Sequence, residues 1–127
     1  MSDPTAILLV DDEEEFVSTL AKRLEIRGVE PKAAYSGDQA LSLIENNDYD
    51  VVVLDVKMPG MNGLEVMDQI KARRPEMPVI LLTGHGSTKE GMDGMHKGAF
   101  DYLIKPLDID ELISKVQEAL GGRPQSE

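Results

Sequence analysis

Apolar residues gather in short continuous runs along the chain, and polar stretches separate one run from the next. A run without alternation of apolar and polar residues is typical of a strand that is buried on both faces. The predicted strands cover residues 6–10, 29–35, 50–56, 78–83 and 99–104. The second run is the weakest, and Pro31 within it suits an edge strand, because proline cannot donate a hydrogen bond to a neighbouring strand.

Between the runs, apolar residues recur every three or four positions, as they do on one face of a helix. This spacing predicts helices over residues 16–24, from about 37 to 44, from 64 to a point before Pro75, and over 88–97 and 109–120. Gly28 suits the end of the first helix. Ser36 with Gln39, and Asp108 with Glu111, have the spacing of capping boxes and predict where the second and last helices begin.

The fourth predicted helix is unusual in composition. Met92 and Met95 are its apolar residues, and we expect them to face the core. Gly91 and Gly94 lie in its interior, where each glycine costs roughly 1 kcal/mol relative to alanine. The sequence therefore predicts a marginal helix that is easily remodelled.

Five strands that alternate with five helices indicate an α/β protein with a doubly wound five-stranded parallel sheet and helices on both faces. In such sheets ligands bind at the carboxyl ends of the strands. A polar residue that directly follows a buried strand is therefore a candidate for function.

Composition narrows the classes of function. The 127 residues suit a single domain with its own core, and the absence of cysteine excludes disulfides and thiolate metal sites. The net charge of −11 argues against nucleic acid or an anionic membrane as the main partner and suits sites that hold cations. No apolar run approaches the length of a membrane span, and the N-terminus lacks a basic signal-peptide start, so we expect a cytoplasmic protein.

Polar residues lie at the ends of four of the predicted strands. Asp11 and Asp12 follow the first strand, Asp55 lies near the end of the third, Thr83 ends the fourth and Lys105 follows the fifth. Clustered carboxylates repel each other unless a cation lies among them, and their hard oxygen ligands suit Mg²⁺. An aspartate nucleophile beside Mg²⁺, an amine and a hydroxyl is suited to phosphoryl transfer.

At this point the sequence resembles the receiver domains of two-component response regulators, the CheY-like family. The resemblance covers almost the whole chain through the segments "ILLVDDEEEF", "VVVLDVKMPGMNG", "VILLTGHG" and "GAFDYLIKP". It implies the flavodoxin-like (βα)5 strand order 2-1-3-4-5. We expect the receiver domain to cover residues 1–121 and residues 122–127 to be a flexible tail or the start of a linker.

The resemblance assigns roles to the candidate residues. It implies that Asp55 is the phosphoacceptor, that Asp12 is the main Mg²⁺ carboxylate with Asp11 beside it, and that the main-chain carbonyl of Lys57 completes the metal ligands. The phosphoryl donor would be a sensor histidine kinase, a histidine phosphotransferase or a small phosphodonor. The chain would then be a signalling switch and not a conventional enzyme, because it would catalyse only its own phosphorylation and dephosphorylation.

The remaining implied roles concern the read-out of phosphorylation. Thr83 and Lys105 would bind the phosphoryl oxygens, the peptide bond between Lys105 and Pro106 would be cis, and Tyr102 would swing inward when Thr83 moves. The output surface would comprise the fourth helix, the fifth strand and the fifth helix. Its partner would be a downstream output protein or an attached output domain.

Some alternatives stay open on the sequence alone. A phosphatase of the haloacid dehalogenase type would carry a second aspartate two residues after Asp55, where this chain has Lys57. A flavin-binding module would need a phosphate-binding first loop in place of "DDEEEF", and an unphosphorylated receiver-like binding module is a third alternative. The side chain of Lys57 could shield the phosphoryl group or pair with Glu14. His85 and His96 have no second metal ligand placed beside them, and we expect them in a loop and on a helix surface.

Overall fold

The central element of the fold is a five-stranded parallel sheet. The computed structural model describes residues 4–58, 60–84 and 88–121. The strands of this sheet, numbered in chain order, are β1 (Ala6–Val10), β2 (Glu30–Ala34), β3 (Val51–Asp55), β4 (Val79–Thr83) and β5 (Asp101–Ile104). They are arranged in the order β2-β1-β3-β4-β5, which confirms the predicted fold. Pro31 lies in β2 at the edge, as expected.

Five helices follow the strands in turn. They are α1 (Glu14–Ile26), α2 (Gly37–Asn46), α3 (Gly63–Arg73), α4 (Thr88–His96) and α5 (Ile109–Ala119). Within the described residues, none of these helices has the length and apolar character that crossing a bilayer requires.

Two hydrophobic clusters form the core, one on each face of the sheet. Leu8, Val52 and Leu81 pack on the face that carries α2 and α3, whereas Ile7 and Val53 pack on the face that carries α1 and α5. Neighbouring residues of one strand point to opposite faces, so a strand covered on both sides must be apolar throughout. This is why the strands read as continuous apolar runs.

The helix caps follow the sequence signals with small differences. Ser36 Oγ accepts a hydrogen bond from the Gln39 N–H at 3.1 Å, but the Gln39 side chain accepts from the Tyr35 N–H and so reaches one residue further than a capping box requires. Asp108 caps α5 by accepting from the N–H of Asp110 at 2.8 Å, and not from that of the expected Glu111.

The prediction that Met92 and Met95 face the core is wrong. Met92 is 53% exposed and Met95 is 41% exposed, and the buried positions of α4 are Gly91 and Gly94. A Cβ atom at Gly94 would lie 2.0 Å from Leu81 Cδ1. The glycines therefore let the helix backbone approach the sheet closely, and the hydrophobic pattern misleads because glycine has no side chain to mark the inner face.

A short hairpin joins β3 to α3. Residues 57–58 pair antiparallel with residues 61–62, and Asn62 caps α3 by accepting the Leu64 N–H at 2.8 Å. Gly63 packs directly on the end of β3, where a Cβ atom would lie 2.3 Å from the main-chain oxygen of Asp55 and 2.7 Å from Val56 Cα.

Gly63→Ala should destabilise the protein by about 3 kcal/mol or more, because the added methyl group would meet backbone that cannot move without displacing Asp55. Gly84→Ala is the matched control, since a Cβ atom there meets nothing within 4 Å. Urea unfolding followed by circular dichroism measures both variants. Equal stabilities for the two variants would contradict the close packing of Gly63.

Candidate functional site

Polar residues that are far apart in sequence meet at the carboxyl edge of the sheet. Asp11 directly follows β1, Asp55 ends β3, Thr83 ends β4 and Lys105 directly follows β5. Asp11, Asp55 and Thr83 are 2%, 6% and 1% exposed, and they are the buried polar side chains among the residues that the structure describes. Burial of a charged group is costly unless it has partners, so this edge differs from the rest of the core in its chemistry.

Three carboxylates form the centre of this edge. Asp11, Asp12 and Asp55 each place a carboxylate oxygen within 4.8 Å of the others, and Asp12 is the most exposed of the three. Asp11 and Asp12 meet Asp55 because β1 and β3 are neighbours in the sheet, with Val10 in register with Leu54. Like charges at this separation repel, which favours a bound cation.

The Lys105 ammonium lies among these acids. Its Nζ is 2.7 Å from Asp11 Oδ2, 2.9 Å from Glu13 Oε1 and 3.7 Å from Asp55 Oδ1. It also lies 4.6 Å from the centre of the Phe16 ring, a cation–π contact. The Lys105–Pro106 peptide bond is cis. In this structure the amine is therefore bound to Asp11 and Glu13 and lies beyond hydrogen-bond distance of Asp55.

The surroundings shift the protonation of two groups. Burial, reinforced by the nearby charge of Asp11, raises the pKa of Asp55 from 3.8 to about 6, although Lys105 and the backbone N–H of Lys57 act in the opposite direction. Burial alone would lower the pKa of Lys105, but hydrogen bonds to Asp11 and Glu13, with the charges of Asp11 and Asp55, raise it above its usual value. Lys105 is thus held as an ammonium beside a carboxylate that is poorly solvated.

The loop after Asp55 carries Lys57, whose side chain contacts α4. Its backbone N–H donates a hydrogen bond to the Asp55 carboxylate. Its ammonium lies 3.8 Å from Glu90 in α4, a partner that we did not expect from the sequence, instead of near Glu14. Lys57 therefore links the acidic edge to the first turn of α4.

Thr83 and Tyr102 connect the same edge to α4. The Thr83 hydroxyl donates to the Leu103 carbonyl of β5 at 3.4 Å, and Thr83 comes directly after Leu82, the register partner of Asp55. Tyr102 is half-buried, and a Cβ atom at Gly91 would lie 2.7 Å from its ring. The ring of Tyr102 thus lies against the backbone of α4.

The sequence reasoning assigned no role to two residues of this edge. Glu13 and Phe16 contact Lys105, but acids at a helix start are usually explained by the helix dipole, and Phe16 has the spacing of a core residue. The position of Glu13 two residues after Asp11 was the available signal. His96 is exposed on α4, as expected, and His85 lies outside the described residues.

The donor atoms at the edge fit a magnesium ion. Asp11, Asp12 and Asp55 offer carboxylate oxygens only, and within the described residues they are the one group of three or more possible metal ligands that come this close together. Mg²⁺ prefers oxygen ligands and usually keeps several waters, which an edge open to solvent at Asp12 permits. The three residues are therefore those that would hold the ion.

The sequence is similar to a known protein family over most of its length. The family model described as the response regulator receiver domain matches residues 7–117. The response regulator MprA of Mycobacterium sp. (strain KMS) is 39% identical over 117 residues, which are 92% of this chain and 51% of MprA. The regulatory protein AtoC of Escherichia coli (strain K12) is 38% identical over 90% of this chain and 25% of AtoC. The chain thus spans about half the length of MprA and a quarter of the length of AtoC.

Solved structures show the same fold over almost the whole chain. The receiver domain of NtrX from Brucella abortus is 34% identical with a TM-score of 0.87, and the match covers 92% of this chain and 99% of that one. A response regulator receiver domain protein from Clostridium thermocellum is 36% identical with a TM-score of 0.88, over 93% of this chain and 95% of that one.

Asp55→Asn should stabilise the metal-free protein by about 2 kcal/mol near neutral pH, because it removes a buried charge. The folded pKa of Asp55 is raised, so this group destabilises the fold progressively as the pH rises from about 4 to about 6. The gain from the substitution should therefore be large at about pH 7.5 and small at about pH 4.5.

Urea unfolding in the presence of a chelator tests this pH dependence. Asp93→Asn is the matched control, since it removes the same charge from an exposed position of α4. A gain for Asp55→Asn that is equal at both pH values, or no greater than that of the control, would contradict the raised pKa.

Proposed function

The chain belongs to the response regulator receiver domain family of two-component systems, and on that basis we propose that it is a phosphorylation-controlled signalling switch. Asp55 accepts a phosphoryl group from a sensor histidine kinase, a histidine phosphotransferase or a small phosphodonor. The modified protein then acts on a downstream output protein or on an attached output domain. The proposal places this signalling in the cytoplasm.

One observation carries the proposal: Asp55 is almost completely buried and shares its edge of the sheet with two further aspartates and a lysine. A structural role does not account for a carboxylate in this position, because an asparagine would fill the space without the cost of a buried charge. A nucleophilic role, in contrast, requires the carboxylate of an aspartate, because the asparagine amide cannot take its place. The surrounding groups are those that stabilise a transferred phosphoryl group.

The reaction is an in-line phosphoryl transfer, in which the attacking and leaving atoms lie on opposite sides of phosphorus. An Asp55 carboxylate oxygen attacks phosphorus, the new O–P bond forms, and the bond between phosphorus and the donor breaks with its electron pair leaving on the donor atom. Mg²⁺ held by Asp11, Asp12, Asp55 and the main-chain carbonyl of Lys57 would offset negative charge on the phosphoryl oxygens. Water later hydrolyses the acyl phosphate, which returns the Asp55 carboxylate and releases inorganic phosphate.

Other residues of the chain hold the phosphoryl group. The Lys105 ammonium is 3.7 Å from Asp55, so a short movement brings it to a phosphoryl oxygen. The Thr83 hydroxyl donates to a backbone carbonyl in this structure and would turn toward the phosphoryl group. The ammonium would neutralise charge that develops during transfer, and the hydroxyl would stabilise it through a hydrogen bond.

The switch would act through α4. Thr83 rotates toward the phosphoryl group, Tyr102 moves inward, and α4 loses the ring on which Gly91 packs. The exposed Met92 and Met95 lie on the outer side of this helix, in the proposed output surface of α4, β5 and α5. Phosphorylation thereby changes the surface that α4 presents.

Incubation with acetyl phosphate should add one phosphoryl group per chain, and intact-mass spectrometry detects the addition. The increase should require both Mg²⁺ and Asp55, so wild type without metal and Asp55→Asn with metal should keep their original masses. A folded wild type that gains no phosphoryl group under any condition would favour an unphosphorylated receiver-like binding module.

Hydrogen exchange should report the change in α4. Amides of residues 88–96 should change their exchange rates when beryllofluoride, a phosphoryl mimic, binds in the presence of Mg²⁺. Amides of α2 provide the internal control, since that helix packs mainly on α3, β1 and β2. Equal and strong protection of α4 in both states would contradict the proposed switch.

A further inference from the structure

The Lys105 amine has a partner that phosphoryl transfer does not require. Its two hydrogen bonds go to Asp11 Oδ2 at 2.7 Å and to Glu13 Oε1 at 2.9 Å. Asp55 is farther away, at 3.7 Å. Glu13 is not one of the three clustered acids that would hold the metal. Its carboxylate therefore binds the Lys105 amine, and neither metal binding nor phosphoryl transfer accounts for this contact.

The position of Glu13 in α1 does not provide that explanation. Glu13 is the N-cap residue of α1, yet its side chain makes no capping hydrogen bond to the helix. Its backbone N–H donates to Asp11 Oδ1 at 3.0 Å, which fixes the residue beside the acidic edge. From there its carboxylate reaches across to Lys105, whose side chain is only 19% exposed.

The amine must give up a partner to reach a phosphoryl group on Asp55. Asp11 is 2% exposed, so without a bound cation its carboxylate would be left as an unpaired buried charge if the amine moved away. The side chain of Glu13 is 63% exposed, and water can replace the amine there at little cost. Of the two hydrogen bonds, the bond to Glu13 is the one that breaks more easily.

We propose that Glu13 is a positioning residue that holds Lys105 on the α1 side of the site in the unphosphorylated protein. The inference rests on the proposed function, because it assumes that Lys105 acts on a phosphoryl group at Asp55. Glu13 competes with the incoming phosphoryl oxygens for the amine. Phosphorylation of Asp55 therefore includes the exchange of the Glu13 bond for a phosphoryl bond, and Glu13 slows that step.

Glu13→Gln should accelerate phosphorylation by acetyl phosphate about two- to fivefold, the range that corresponds to one exposed ion pair. Glu15→Gln is the matched control, because it removes the same charge from an exposed position in the first turn of α1. This control should phosphorylate at the wild-type rate. It separates the contact with Lys105 from the effect of net charge on the phosphodonor and on Mg²⁺.

A second measurement follows the amine itself without any phosphodonor. The hydrogens of the Lys105 ammonium are observed in nitrogen-correlated NMR spectra, with the signal assigned by its loss in Lys105→Arg. They should exchange with water faster in Glu13→Gln than in wild type, and Glu15→Gln should leave the exchange rate unchanged. Thermal unfolding of all variants establishes that each is folded.

The outcomes separate this inference from the proposed function. Faster ammonium exchange together with faster phosphorylation, in Glu13→Gln alone, supports the positioning role. If wild type is phosphorylated but Glu13→Gln matches Glu15→Gln in rate, the inference is wrong and the proposed function stands. A change in ammonium exchange without a change in rate also overturns it, since the contact would then be merely structural. If wild type takes no phosphoryl group, the proposed function fails and the inference fails with it.

Discussion

The ion pairing of Lys105 with the acids at the carboxyl edge of the sheet is the interaction on which the site depends. Two of these acids, Asp11 and Asp55, are almost completely buried, and one ammonium lies within 4 Å of both and of Glu13. One positive charge cannot balance them all, which leaves the edge short of cations in the metal-free protein. The parallel sheet makes this arrangement unavoidable, because neighbouring strands deliver their following residues to the same place.

The burial that makes an ionised Asp55 costly also suits the reaction that we propose for it. Burial leaves its carboxylate poorly solvated and raises its pKa, and in the proposed reaction a poorly solvated anion would need less rearrangement of water before it attacks phosphorus. The same edge continues into α4 through two contacts in successive residues. Lys57 reaches Glu90, and the ring of Tyr102 lies against Gly91. A charge placed on Asp55 therefore has a short physical route to the proposed output surface.

Much of this arrangement could be predicted from the sequence. Continuous apolar runs indicated the strands, and helical spacing indicated the helices. Because ligands bind at the carboxyl ends of parallel strands, the sequence also predicted that Asp11, Asp55, Thr83 and Lys105 lie at one site. What it missed depends on contacts that leave no periodic mark. The pairing of Glu13 with Lys105 joins residues 92 positions apart. The inner face of α4 is made by the backbone of its glycines, so the hydrophobic pattern wrongly predicted that its methionines face the core.

The site assignment rests in the end on which atom carries the phosphoryl group. Borohydride reduces an aspartyl phosphate to homoserine, and tandem mass spectrometry of peptides then locates that residue. After incubation with acetyl phosphate and Mg²⁺, homoserine should be found at position 55 alone, and it should be absent when a chelator replaces the metal. Homoserine at another aspartate, or its formation at position 55 without metal, would contradict the account.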